Sequence, residues 1–445
     1  MEEGAHAKAA KHLVSEGLVD ISVPAIASKL ADLHPSGMPV RLGPDQVLPV
    51  RHVAEWPEVP DWDSRVAKAT MAFPPGSAGG PSGLRPAHLK DCLKRTGSAN
   101  VLLLGLSAFV QKASDGMLPS AIREHLCSAN LIPLRKKDGG IRPIAVGETF
   151  RRLVGKVLLR LPHVQEGIES LRPRQCGVGM PFAAELVGMG VHRLASGVLD
   201  AHVNEQWVLL QVDVCNAFNS VDRSTMLQQT LRKVPAVYNW LSWTYAEPSP
   251  LFCQGVQLAS STAGVHQGDA MGPLGFALGL EAALDECMAQ EQNLPWVSWY
   301  LDDGTIVGPL QAVADYLDQL VPALQKSGLQ INLQKTILWG PGVQLEEDMA
   351  DNIPDTISLH HPIRKARIIP YGASMGTTVL GTPCDAEGSV THAKATWNKA
   401  VENTVRIIRR LEKLPNGQIR HCLIIHGLDA CKVMVVVGGL GQTHR

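Results

Sequence analysis

Apolar and polar positions along this chain switch between two periods, and each switch marks an element. Residues 207–218 (WVLLQVDVCNAF) open with five apolar residues in six positions, a buried-strand pattern with Asp213 set inside it. Trp296, Val297, Trp299 and Tyr300, followed after two acids by Thr305, Ile306 and Val307, predict a β-hairpin whose turn carries Asp302 and Asp303. A second hairpin is predicted over 131–146, where Lys137-Asp138-Gly139-Gly140 separates two short apolar runs. Helical spacing appears over 148–161, with Phe150, Leu153, Val154, Val157, Leu158 and Leu161 on one face and Arg151, Arg152, Lys156 and Arg160 mainly on the other. It recurs over 310–325, stopped by Gly328, and over 391–414, closed by Asn416-Gly417. Pro273 suits the first turn of a helix over 272–286. Residues 74–83 (PPGSAGGPSG) form a loop, and no G-K-[ST] follows to make it a phosphate cradle.

Two of these elements carry unusual acids. Adjacent carboxylates repel, and hard oxygen donors of that kind suit a divalent ion such as Mg²⁺. Taken alone, Asp302 and Asp303 read more simply as a solvated Asp-Asp-Gly turn. Asp213 alters the balance, because a carboxylate inside an apolar strand is costly unless compensated. If the two strands lie side by side, three acids meet and could hold two ions roughly 3.5–4 Å apart, as in phosphoryl-transfer sites. That is a polymerase or nuclease arrangement.

The order of motifs narrows the choice. Asp213 with 217–221 (AFNSV), then 266–274 (HQGDAMGPL), then 300–303 (YLDD), then 328–332 (GLQIN) with Lys335, resembles the motif series of reverse transcriptases. The segments 142–158 (RPIAVGETFRRLVGKVL) and 81–89 (PSGLRPAHL) are closest to those of non-LTR retrotransposons, and the likeness runs from about 75 to 435. The resemblance implies an α+β right-hand polymerase fold of fingers, palm and partial thumb with an antiparallel palm sheet. It divides the chain into an N-terminal extension packed against the fingers (1–74), fingers and palm (75–342), and palm end with truncated thumb (343–445). It implies an RNA-directed DNA polymerase in which Asp213, Asp302 and Asp303 hold Mg²⁺ (or Mn²⁺) and join a dNTP to a DNA primer on an RNA template. Lys136, Arg142, Phe218, Gln267 and Lys335 would contact the nucleotide, with Phe218 crowding its 2′ position. Gly268, Arg151, Arg152 and Tyr300 would contact template or primer.

Composition changes the picture little. The formal charge is −1, unusual for a nucleic-acid enzyme, but residues 123–160 and 364–420 each carry a net +6 and flank the acidic centre. Nine scattered cysteines (92, 127, 176, 215, 253, 287, 384, 422 and 431), with no C-x-x-C pair, read as reduced thiols of an intracellular protein of nucleus or cytoplasm. No signal core and no 18-residue apolar run appear, so neither secretion nor membrane insertion is expected; the apolar tail, interrupted by His426, Asp429 and Lys432, reads as a packed helix. His360-His361 lacks a third ligand and reads as a loop pair. No endonuclease, RNase H series or zinc knuckle is recognisable, so an endonuclease would have to come from another chain. The alternative to an active enzyme is a catalytically idle RNA-binding relic or polyprotein fragment. An RNA-dependent RNA polymerase is disfavoured by Phe218 and by Leu301 before the paired acids.

Overall fold

A computed structural model of the chain describes residues 17–20, 22–41, 61–94, 99–136, 139–194 and 206–340, together with 353, 356–358, 360–369, 371, 376–385 and 389–412. The expectations for Lys137-Asp138, Asn416-Gly417, Cys422, Cys431 and the apolar tail fall outside these residues.

Two sheets organise the described chain. The first contains β1 (Ala129–Arg135), β2 (Ile141–Gly147), β4 (Ser249–Cys253) and β5 (Val256–Ser261) in the order β2-β1-β4-β5. The second contains β3 (Trp207–Val212), β6 (Trp296–Tyr300), β7 (Asp303–Pro309), β8 (Ile337–Trp339) and β9 (Arg367–Ile369) in the order β6-β7-β3-β8-β9. A short pair, β10 (Thr377–Val379) and β11 (Thr382–Cys384), stands apart. Most pairings are antiparallel, but β1 with β4 and β8 with β9 run parallel. Both sheets are therefore mixed rather than purely antiparallel.

The principal helices are α1 (Pro24–Asp32), α2 (Trp62–Met71), α3 (Pro86–Leu93), α4 (Ala99–Ser114), α5 (Thr149–Leu158), α6 (Ala183–Leu194), α7 (Arg223–Lys233), α8 (Tyr238–Tyr245), α9 (Gly272–Glu286), α10 (Leu310–Lys326) and α11 (Thr391–Glu412). No described helix is long and apolar enough to cross a membrane.

The unbroken apolar run of β3 has a direct cause. Side chains alternate across a strand, and both faces of this central strand are covered. Val208, Leu210 and Val212 enter the main core with Leu274 and Leu278 of α9 and Leu317 and Leu320 of α10. Trp207 and Leu209 enter a second core with Val307, Trp339 and Val187 of α6. Each such side chain, fully buried, contributes roughly 1.5–3 kcal/mol, enough to pin the register that carries Asp213. The N-terminal segment reaches further than expected. Leu18 bridges to Leu134 of β1, α1 plants Leu30 beneath the first sheet, and the chain after it is hydrogen-bonded to Ser224 and Thr262.

Candidate active site

The site grows from the end of β3. This strand stops at Val212, so Asp213 lies one residue beyond it, half-buried, rather than inside it. Across the sheet Val212 pairs with Gly304 of β7, and one further step brings Asp213 opposite Asp303. Tyr300 pairs with Asp303, which leaves Leu301 and Asp302 as the two turn residues. The turn thus carries one acid, and Asp303 opens the following strand. Leu301 adopts a left-handed φ of 56°, uncommon for a branched residue. Gln175, fully buried, holds it there: its Oε1 accepts from Leu301 N at 2.8 Å and its Nε2 donates to Leu301 O at 3.3 Å. Tyr300 itself is half-buried and packs into the second core.

Electrostatics links the three acids. Asp303 reaches solvent, yet its surroundings strip enough hydration, with Asp302 and Asp213 adding repulsion, to push its pKa up to about 6. The Asp302 carboxyl is also raised, first by burial and then by Asp213, while Arg142 and Lys136 work in the opposite direction. Lys136 and Arg142 of the β1–β2 hairpin are thus close enough for their charges to act on Asp302. The stronger expectation, three carboxylates already gathered as a metal cage, is not met. Among the described residues no group of three or more His, Cys, Asp or Glu side chains is placed to hold a metal ion. Like charges repel, and repulsion favours side chains held apart. The donor set nonetheless fits a hard divalent cation, since it offers three carboxylates whose charge the nearby cations leave incompletely offset.

Residues 328–335 lie against the same end of β3. Cys215 N donates to Gln330 O, and Asn332 N donates to the Asp213 carbonyl at 2.7 Å. Lys335 is exposed here, close enough for its charge to act on Cys215, as does that of Asp213. Phe218 is half-buried, its ring stacked on Phe276 of α9 with centroids 4.9 Å apart.

The 266–269 segment lies against β2 of the first sheet. Ala145 N of β2 donates to Gln267 O, and a Cβ on Gly268 (φ 128°) would sit 2.5 Å from Ala145 O, so glycine is required for this approach. Gln267 Oε1 is buried without a hydrogen-bond partner.

Arg151 corrects the reading of its helix. Expected on the outward face of α5, it is 1% exposed and points inward. Its Nε and Nη2 donate to Asp269 Oδ2 at 3.0 and 2.6 Å, and its Nη1 donates to Cys127 O at 2.8 Å. Tyr245 donates its hydroxyl to the same Asp269 oxygen at 2.7 Å, and Asp269 Oδ1 accepts from Met271 N. A buried guanidinium is stable only when paired and hydrogen-bonded. Arg151 is a structural tie and does not face a template. Arg152, next along, does lie outward, with Nη2 donating to Ala78 O. Its guanidinium carbon sits 5.8 Å from the Phe73 ring centre, Lys156 Nζ sits 5.0 Å from it, and Lys90 Nζ donates to Phe73 O.

The sequence reading missed Gln175, Asp269, Tyr245 and Arg223. Asp269 carried a signal, a carboxylate inside an apolar segment that demands a buried partner. Arg223 carried none: its guanidinium is satisfied by the carbonyls of Gly264, Tyr245, Ser261 and Ala263 and by the Ser261 hydroxyl.

Comparison with known proteins agrees with this geometry. Residues 134–347 match the family described as reverse transcriptase (RNA-dependent DNA polymerase), a span containing Asp213, Asp302, Asp303, Lys136 and Arg142. The retrotransposable element SLACS 132 kDa protein of Trypanosoma brucei gambiense is 24% identical over 256 residues, covering 53% of this chain and 19% of that protein. The chain thus spans about a fifth of the length of the curated relative it matches. Carboxylates at the tips of neighbouring strands, cations facing them and the family match converge: the chain carries a reverse transcriptase domain and resembles the proteins of non-LTR retrotransposons.

Proposed function

We propose that the chain is an RNA-directed DNA polymerase, derived from a mobile element, that transfers a nucleotide from a dNTP to a primer 3′-hydroxyl by two-metal chemistry. On this reading the first sheet belongs to the fingers, the second to the palm, and α11 begins the thumb. The observation that carries it is the partly offset charge of Asp213, Asp302 and Asp303 at one end of the second sheet, opposite Lys136 and Arg142. Bound by these carboxylates, Mg²⁺ or Mn²⁺ would supply Lewis acidity, lowering the pKa of a coordinated hydroxyl and neutralising phosphoryl charge. Lys136 and Arg142 grip the triphosphate, one as a point charge and the other as a bidentate fork. Phe218, braced by Phe276, presents a ring edge that excludes a 2′-hydroxyl. The unpartnered Gln267 Oε1 and the tight Gly268 turn suit the nucleotide and template edge.

Nucleic-acid binding has separate support. Lys90, Arg152 and Lys156 surround Phe73 on α3 and α5, and the charges of Arg160, Arg152 and Lys90 add to burial in lowering the Lys156 pKa. Crowded cations of this kind favour a phosphodiester backbone. The deciding experiment is primer extension on an RNA template by purified protein with Mg²⁺, with Asp302→Asn as control. Extension by wild type alone supports the proposal. Equal extension by both proteins refutes the site, and RNA binding without extension identifies an idle relic.

A further inference from the structure

The N-terminal segment touches both halves of the site. Arg135 N donates to Gly17 O at 3.1 Å and Val19 N donates to Pro133 O at 2.9 Å, so residues 17–19 pair antiparallel beside the last residues of β1, next to the tip of its hairpin. Lys136 follows immediately, and Arg142 pairs with Leu134 across the hairpin. Next, α1 anchors the segment by burying Leu30 among Ala129, Leu131, Ala145, Leu251 and Cys253. Beyond α1 the chain reaches the acid-bearing loop. Leu33 O accepts from Asn216 Nδ2 at 2.8 Å, Gly37 N donates to Thr262 Oγ1 at 2.9 Å, and Arg41 N donates to Ser224 Oγ at 2.9 Å. Thr262 Oγ1 also donates to Pro35 O at 3.3 Å.

Asn216 lies three residues after Asp213 and two before Phe218. Its φ of 46° is left-handed, and its Oδ1 accepts from Asn219 Nδ2 at 2.8 Å. Beside these hydrogen bonds lies a cleft of about 430 Å³, bordered by Pro35, Met38, Cys215, Asn216 and Gln330. Gly37 marks the closest approach: a Cβ there would run into the Thr262 carbonyl. Val40 packs against the main core, and the hydrogen bonds of Asn216, Thr262 and Ser224 fix the spacing at this end.

We propose that residues 17–20 and 22–41 act as a positioning strut, tied at one end to the hairpin of Lys136 and Arg142 and at the other, through Asn216, to the loop of Asp213 and Phe218, which sets the gap in which an incoming nucleoside triphosphate is held. This rests on the polymerase reading for its substrate, and on geometry alone for the mechanical link. Asn216 acts through the loop and Thr262 through its hold on the arm at Pro35 and Gly37, and both are positioning residues.

Amide hydrogen exchange tests the link without reference to catalysis. Thr262→Val keeps shape but loses the hydroxyl, and Thr262→Ser keeps the hydroxyl. Exchange at the Val19 and Arg135 amides should quicken about fivefold in Thr262→Val, a scale set by one hydrogen bond, and return to the wild-type rate in Thr262→Ser. Asn216→Gly, which tolerates the left-handed φ and loses the bond to Leu33, should behave like Thr262→Val. In extension assays both variants should raise the dNTP KM about fivefold while kcat stays within about twofold, a split that general destabilisation would not produce. Val19→Pro, which removes the donor to Pro133, should give little further rise in KM when combined with Thr262→Val, because both cut the same strut. Unchanged exchange at Val19 and Arg135 in Thr262→Val, or KM effects that multiply in the double variant, overturns the proposal. A chain inactive in every extension assay would refute the polymerase reading and leave exchange to decide the strut.

Discussion

Asp269 and Asp303 are both aspartates beside apolar strands or helices, and they are treated in opposite ways. Asp269, 7% exposed, takes three charge-assisted or hydroxyl bonds on one oxygen and a backbone N–H on the other. Every face of its charge is matched from within the protein. Asp303 reaches solvent, but lost hydration first and then the charges of Asp302 and Asp213 push its pKa up to about 6. The first acid is consumed by the fold, whereas the second is left with charge to spend on something the chain does not itself provide. A structural carboxylate and a candidate catalytic one are thus told apart by how completely their partners satisfy them, more than by depth.

This contrast can be broken at either end. The largest effect is expected at the unsatisfied acids: Asp302→Asn should cut primer extension about a thousandfold or more, the scale of losing a principal electrostatic stabiliser, with the urea midpoint unchanged or higher. At the satisfied acid the loss falls on stability instead. Arg151→Met strands Asp269 in the core, and chemical denaturation should register a loss of about 3–5 kcal/mol; a loss under about 1 kcal/mol would mean Tyr245 and Met271 suffice.

A smaller effect separates the two by pH. A carboxyl whose folded pKa is raised retains its proton more tightly in the native state, so between about 4 and 6 stability falls as pH rises. Asp303→Asn should reduce that slope, the part due to Asp302 remaining, and leave the variant relatively more thermostable at neutral pH. Activity has the opposite sign, since the ionised carboxylates are needed, and extension should decline as pH drops through about 6. A flat pH–rate profile from pH 8 to 5 would count against Asp303. The smallest change concerns Phe218. Phe218→Val removes ring from the gate while Phe276 still fills the core, and the rNTP to dNTP incorporation ratio should rise; an unchanged ratio in an active variant would assign Phe218 to packing alone.

Periodicity made much of this legible. The hairpin over 296–309, α9 with Pro273 in its first turn, and α10 with its stop at Gly328 all follow from spacing and punctuation in the chain. The three acids stood out because acids in apolar surroundings need a reason. Arg151 was misread because helix-face reasoning sends charge outward, and its partner lies 118 residues away. The left-handed Leu301 was hidden for a related cause: neither its residue type nor its neighbours announce φ > 0, and the clamp comes from distant Gln175. The N-terminal segment is held mainly by hydrogen bonds of its own backbone groups to distant partners, to which side-chain patterns are blind.

The register of the central strand has a consequence for biosynthesis. Trp207 pairs with Pro309 and Val212 with Gly304, so β3 waits for a partner made about a hundred residues later. At roughly 5–20 residues per second, several seconds of translation separate the two strands. During that interval β3, apolar on both faces, has an unpaired edge toward β7, and its tip carries Asp213 without the other two acids. The nascent domain therefore cannot assemble its acidic centre on the ribosome until residue 309 has emerged, and the seconds before are when a chaperone or a misplaced strand would find β3 open.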